Sequence, residues 1–372
     1  MTQTNAASGE RIHSADSLRA FLMLSVIFIH AGTLTTAIPA LVAGNILVTL
    51  FVMQGFFLLS GFFAAMSLAK APSTDFLRKR LVSVLVPLAV MLPTNVIALW
   101  AIAAYARARA EAFPQVELGT LATPWHLHHW FLFVLAAFTL ATPPLNALAA
   151  RAAPQLQRVA VPPLVLGLAL AVLLTLLSRT ALKVLAAATW PALDDTWLVL
   201  AMALYVPSYM IGLLAWHHAG LRAALIMPRA SYAAIWTAIA VAGLAALVLT
   251  GIDGPLRRVV EALTGLALFG MASFAFATLV RARNPVMAFI SDAAYTVYLV
   301  HFLCVWLFLA AAGAYIESYA VLYVLAVCVG LGVPLCVHAL LVQRSEVAAF
   351  LLNGRRRRRS AAPAAVRPEY GR

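Results

Sequence analysis

Charge is scarce in this sequence. Asp, Glu, Lys and Arg make up 10% of its 372 residues, where a soluble domain carries about 25%. Carboxylates are scarcer still, with 13 Asp and Glu against 26 Lys and Arg. So little charge beside a hydrophobic content of 64% excludes an ordinary water-soluble domain and places the chain in a membrane. Cysteine is nearly missing: Cys304, Cys328 and Cys336 all fall inside apolar runs, which implies no disulfide framework. No internal repeat is visible, and that argues against the doubled layout of many secondary transporters. The net charge of +13 does not mark a nucleic-acid partner, because such a protein gathers its bases on one solvated face. Here they sit in short loops between apolar runs, with a final cluster from Arg355 to Arg359.

What the sequence has in abundance is span-length apolar stretches. Runs of about 20 residues, enough to cross about 30 Å of hydrocarbon, are placed at 18–38, 44–68, 81–105, 127–148, 158–177, 197–216, 231–251, 256–280, 285–312 and 318–342. With the N-terminus in the cytoplasm, 20 of the 26 basic residues fall on the cytoplasmic side, leaving Arg107, Arg109, Arg179, Lys183, Arg257 and Arg258 outside. A bias of that size sets orientation. The expectation is an all-α, polytopic membrane protein of about ten transmembrane helices, both termini cytoplasmic. Residues 1–17 form a cytoplasmic N-terminal segment, 18–345 a membrane domain, and 346–372 a basic, mobile cytoplasmic tail. The first span exceeds a signal-peptide core and follows a long flank, so it reads as retained. The tail arginines suit topology signalling or anionic headgroups, at about 1 kcal/mol each.

Polar residues inside these runs carry the functional signal. Arg19 and His30 are eleven positions apart in the first span, which at 100° per residue puts them on one helix face, about 16 Å apart along the axis. An Arg at the cytoplasmic rim therefore sets His30 near the midplane, where an ionisable group usually faces the bundle interior or a wet cavity. A topology arginine with a histidine satisfied by a neighbouring carbonyl explains the pair equally. In the ninth span, Tyr295, Tyr298 and His301 follow at intervals of three and so share adjoining parts of one face. His301 lies about 20 Å in from Ala288. Tyr298 is too deep for a headgroup belt, so two histidine-bearing helices favour a polar chamber.

Three further stretches qualify that picture. The LLSGFFAA segment, 58–65, holds a Ser-Gly pair where a helix or ligand can approach closely; Ser60 is the nearest candidate nucleophile for any covalent intermediate, but is expected to pack beside Gly61 instead. Arg78, Lys79 and Arg80 open the third span; positive-inside topology explains them, and so does a polyphosphate ligand docking from the cytosol. In PWHLHHWFLFVL, 124–135, the three histidines have no carboxylate or Cys nearby. They read as an aromatic and imidazole interface belt rather than metal ligands.

Taken in order, these places resemble the integral-membrane acyltransferase-3 family: Asp16, Arg19 and His30 in the first helix, FFLLSGFF in the second, Lys79, Arg80 and Pro87 in the third, then HHWFLFVL and YLVH. The likeness runs from about residue 11 to 345, and within the family it is greatest to the glucan biosynthesis protein C group. Ser83 stands where a second Arg usually follows Arg80, Ala294 replaces a frequent Ser, and no Glu follows Trp130. The resemblance implies O-acyl transfer, succinyl or acetyl, from cytosolic acyl-CoA to a hydroxyl of a periplasmic or surface glycan at a bacterial inner membrane. Glycan-synthesis proteins are the partners such a role implies. Acyl-CoA is the donor substrate, and no bound cofactor or metal is expected.

A sugar hydroxyl is a poor nucleophile at neutral pH, so attack on a thioester needs a positioned base, and imidazole suits the task. His30 is the expected base, with His301 and Tyr298 as candidate donors to the oxyanion. Arg19 is expected to bind and orient the donor, together with Arg78, Lys79, Arg80 and Asp16. Two other classes remain open on the residues alone: a transporter with a midplane polar site, and a haem or quinone protein using His30 and His301 as axial ligands.

Overall fold

A computed structural model describes residues 13–32, 38–109, 126–188, 197–226, 228–280 and 285–355. Residues 1–12 of the N-terminal segment, Pro124 and Trp125, and the arginine run from 356 onward lie outside the described residues. In chain order the helices are α1 (His13–Gly32), α2 (Pro39–Leu68), α3 (Ser73–Met91), α4 (Thr94–Arg109), α5 (Trp130–Arg158), α6 (Pro163–Ala188) and α7 (Trp197–His217). They continue with α8 (Ala219–Leu225), α9 (Ala230–Leu249), α10 (Gly254–Leu279), α11 (Pro285–Ala312), α12 (Tyr319–Val337) and α13 (Glu346–Asn353). Among the described residues there is no strand. Among the described residues nine helices are long and apolar enough to cross a membrane, and ten spans result when α3 and α4 count as one.

That pair forms the third span, expected over 81–105, as two helices. α3 and α4 meet at a bend of 48°, because Pro93 has no N–H to continue the ladder. The local carbonyls find other partners: the Thr94 hydroxyl donates to Met91 O at 2.6 Å, and the Asn95 N–H donates to Leu92 O. The break turns Asn95, on the first turn of α4, into the interior. Elsewhere the interior follows membrane packing rules, in which small residues let backbones meet. A Cβ on Gly61 of α2 would lie 2.2 Å from Tyr209 O, and one on Gly212 of α7 would lie 2.0 Å from Leu58 O. The Ser-Gly pair of the second span is therefore a helix-packing notch, filled by α7.

Large apolar side chains at the periphery stay exposed, among them Val248, Leu249 and Leu279, as suits a lipid-facing surface. The main core is built chiefly from α1, α2, α5, α7 and α10. A second cluster joins α4, α11 and α12 through Tyr105, Phe302, Trp306 and Leu322. Buried hydroxyls bond within the bundle: Thr142 donates to Phe138 O at 2.6 Å and lies 2.6 Å from the Tyr209 hydroxyl. Arg19 of α1 and Arg355 beyond α13 line one cavity, so the two described ends of the chain lie on the same face of the bundle.

Candidate active site

The residues singled out by sequence fall into two adjoining places. The first is a cavity of about 1020 Å³ at the end of the bundle that carries both described ends of the chain. Arg19, Lys70, Arg78, Lys79, Arg80 and Arg355 line it, with Asp292 as its acidic member. Arg19 stands on α1 with Asp16 one turn below, 3.7 Å away, and its guanidinium lies 5.4 Å from the centre of the Phe63 ring. Asp16 thus braces Arg19 and is not itself among the lining residues. Arg78, 75% exposed, is paired with Asp75 at 3.5 Å. Arg80 lies deeper, within Coulombic reach of Tyr209, Tyr295 and Arg355. Farther in the cavity wall turns apolar, at Met23, Phe56, Phe131 and Leu135.

The second place is a cluster of imidazoles. The His30 and His301 rings, from α1 and α11, stand 5.3 Å apart between centroids. His128 joins them, 6.1 Å from His30 and 5.5 Å from His301, stacked on Phe302 at 4.5 Å. The eleven-residue spacing in α1 and the depth of His301 thus bring two predicted residues together. Sequence reasoning missed the third. The expected interface belt over HxHH is corrected: His126, His128 and His129 are all buried, at 5%, 5% and 0% exposure. A three-residue turn of 3₁₀ helix, Leu127–His129, precedes α5, and Leu127 has φ +41°, a conformation that costs a non-Gly residue about 1–3 kcal/mol. That turn carries His128 into the bundle, and no periodicity in the sequence signals it. Among the described residues no group of three or more His, Cys, Asp or Glu side chains is arranged to hold a metal ion.

Hydrogen bonds fix what each ring can do. Nδ1 of His301 lies 2.7 Å from Tyr298 O and 3.0 Å from Val297 O. Two carbonyls require the proton on Nδ1, so neutral His301 offers a lone pair at Nε2, and that atom is buried without a partner. The Tyr298 hydroxyl donates to His128 O at 2.8 Å, so its proton is engaged as well. His129 Nδ1 lies 3.0 Å from Asn95 Oδ1 at the α3–α4 break. His128 senses the Leu299 carbonyl, but neither of its ring nitrogens makes a hydrogen bond of ordinary geometry. Burying ring nitrogens with so little hydrogen bonding is costly. His126, just outside the span, is held below the usual imidazole range by burial, partly offset by its contact with Leu127 O.

The two places share a wall. Phe131 lines the cavity and packs 5.3 Å from the Tyr298 ring. Tyr298 in turn lies 5.8 Å from His128 and 6.1 Å from His301. Tyr295, another lining residue, stacks on Tyr298 and donates to Ser83 O at 3.0 Å. Ser60 is buried at the α2–α7 contact and is not among the lining residues.

A cation-lined cavity thus lies beside a cluster of buried imidazoles inside a multi-pass helical bundle. The chain belongs to the acyltransferase-3 family, whose model, described as an acyltransferase domain, matches residues 12–339. Its long apolar helices make it a multi-pass membrane protein of that family. It is similar to glucans biosynthesis protein C of Escherichia coli O6:K15:H31, 30% identical over 149 residues, 36% of this chain and 39% of that protein. The proteins of the same name from E. coli O1:K1 and O157:H7 match to the same extent. The match thus spans about two fifths of the length of these curated relatives. No solved structure matches the chain.

Proposed function

We propose that the protein moves an acyl group, succinyl or acetyl, from cytosolic acyl-CoA to a hydroxyl of an extracytoplasmic glycan, with both chain termini in the cytoplasm of a bacterial inner membrane. One observation carries this reading: the cation-lined cavity and the His30–His128–His301 cluster lie on opposite sides of the Phe131–Tyr298 wall. The cations suit the phosphates of a CoA. The apolar inner part of the cavity suits the pantetheine arm, whose thioester end then points toward the Phe131–Tyr298 wall and the imidazoles behind it.

His30, the partly accessible member of the three, takes the proton from the acceptor hydroxyl as its oxygen bonds to the thioester carbonyl carbon. The Nε2 lone pair of His301 accepts a hydrogen bond from the imidazolium so formed. His128 carries the N–H left to stabilise the oxyanion, a role the engaged protons of His301 and Tyr298 leave vacant. When the intermediate collapses, the C–S bond breaks and the CoA sulfur receives the proton held by His30. The name of the Escherichia coli relatives supports a glucan as the acceptor. The bend between α3 and α4 also suits a transporter built on broken helices. A transporter would carry its substrate across unchanged, so label left covalently on the glycan separates the two.

The test is transfer of labelled acyl from acyl-CoA to glycan by the purified protein. His30→Gln should lose a factor of about 10² to 10⁴, since an amide cannot take up the proton. A variant with normal yield and normal rate would overturn the assignment.

A further inference from the structure

After α12 the chain passes through a turn of π-helix, His338–Val342, and then folds back on the cavity as α13. Ser345 caps α13, its hydroxyl accepting from the Ala348 N–H at 3.2 Å. Gly354 ends it in the left-handed region, φ +60°. The fit of that glycine against α3 is close: a Cβ on Gly354 would lie 2.3 Å from Ser83 Cα and 2.7 Å from Val82 O. Phe350, Asn353, Gly354 and Arg355 all line the cation-rich cavity, which therefore has a wall made by the segment after the last span.

A buried polar set holds this wall in register. His338, fully buried, has Nδ1 3.0 Å from the Thr296 hydroxyl and Nε2 3.2 Å from Asp292 Oδ2. The Thr296 hydroxyl donates onward to Asn353 Oδ1 at 3.1 Å. The other carboxylate oxygen of Asp292 accepts from Arg355 Nη1 at 3.2 Å. One anion thus ties a buried histidine of the membrane bundle to a guanidinium at the cavity. That bond engages one of five guanidinium N–H donors. The side chain of Arg355 is 63% exposed and within Coulombic reach of Arg80. Asp292 offsets part of the repulsion between these like charges, and an anionic ligand in the cavity they both line would offset more.

We propose that the segment after the last span completes the donor site, with Arg355 as a phosphate-binding residue and Asp292 and His338 as the pair that positions it. The ligand chemistry is a polyphosphate carried on a long neutral arm, and the inference rests on the acyl-CoA reading given above. The small side chain of Ser83 and the missing side chain of Gly354 let the segment sit on α3. Arg355 then arrives beside Arg80 from a different part of the chain.

Full-length protein in lipid nanodiscs is the material for the test. CoA binding is measured by calorimetry, and turnover is compared with acyl-CoA and with acyl-pantetheine, which has the arm but no diphosphate. Arg355→Ala should weaken CoA binding about tenfold, as loss of a charge-assisted contact does, and raise the KM for acyl-CoA while leaving turnover of acyl-pantetheine unchanged. Arg355→Lys should recover part of the loss. Gly354→Ala should behave like Arg355→Ala, because a Cβ there prevents seating on Ser83. Arg344→Ala, which removes an exposed charge outside the cavity, should change nothing. Unaltered CoA binding in both Arg355→Ala and Gly354→Ala overturns the proposal, and so does an equal loss with both donors, which would mark a purely structural role. If the wild-type protein neither binds CoA nor uses acyl-CoA, the donor reading has failed first.

Discussion

The cation-lined cavity and the imidazole cluster share a wall yet are built on opposite electrostatic plans. At the cavity the charges are permanent, borne by Arg and Lys side chains on flexible stems, several of them well exposed. At the cluster His30, His128 and His301 meet one another and aromatic rings such as Phe302. Fixed charge in water holds a highly charged ligand by many adjustable contacts. Proton transfer needs the reverse, a few groups of tunable charge held rigidly where water is excluded and each hydrogen bond counts for more. The difference predicts different kinetic signatures: substitutions in the cluster should lower kcat, and substitutions in the cavity should raise the KM for the donor.

The largest effect expected after that of His30 is at His128. Removing an oxyanion donor typically lowers kcat by about 10² to 10³. His128→Ala should do so with little change in donor KM, measured by label transfer under saturating acyl-CoA. His128→Asn, which restores a donor on a shorter side chain, should recover part of the loss. If His128→Ala turns over at the wild-type rate, the cluster reduces to the two histidines legible from the sequence.

A smaller and graded effect is expected across the basic run of α3. Arg80 is half-buried beside Tyr295 and Arg355, Lys79 lies at the rim, and Arg78 is already paired with Asp75. Exposed pairs contribute about 0–1 kcal/mol. Arg80→Ala should therefore raise the donor KM about tenfold, Lys79→Ala less, and Arg78→Ala hardly at all, with kcat steady throughout. Equal effects at all three would mean that net charge, and not placement, draws the donor.

How much of this was legible depends on the range of the physics involved. Helix periodicity and rise are local rules, so the shared face of Arg19 and His30, and the depth of His301, follow from counting residues. The rings then meet because α1 packs on α11, which the sequence only suggests through its polar stripes. The α3–α4 bend had a visible cause in Pro93, but a proline inside an apolar run does not reveal whether the helix kinks or breaks. His128 was hidden by its neighbours, since three histidines beside tryptophans at the edge of a span have the composition of an interface belt. Only the left-handed turn at Leu127 sends it inward, and nothing in a leucine announces positive φ. Arg355 was hidden by distance, more than 250 residues from Arg80 in sequence and brought to it by a reversal after the last span.

Tyr298 stands on the boundary between the two plans, and its substitution should have a modest effect while separating two roles. As an oxyanion donor, the phenol would have to leave His128 O, to which it donates at 2.8 Å. As a positioning residue, it keeps that bond throughout and holds the backbone of the 3₁₀ turn that presents the His128 ring. Tyr298→Phe retains the ring contacts with Phe131 and His301 and deletes only the hydroxyl. Loss of a neutral hydrogen bond lowers stability by about 1 kcal/mol, so the expected result is a modest drop in thermal midpoint and a severalfold drop in kcat. The donor KM should not move, because the cavity side of the wall is intact. A fall in kcat of about 10² or more at unchanged stability would assign the phenol proton to the oxyanion, and His128 would then be the residue that holds Tyr298 in place.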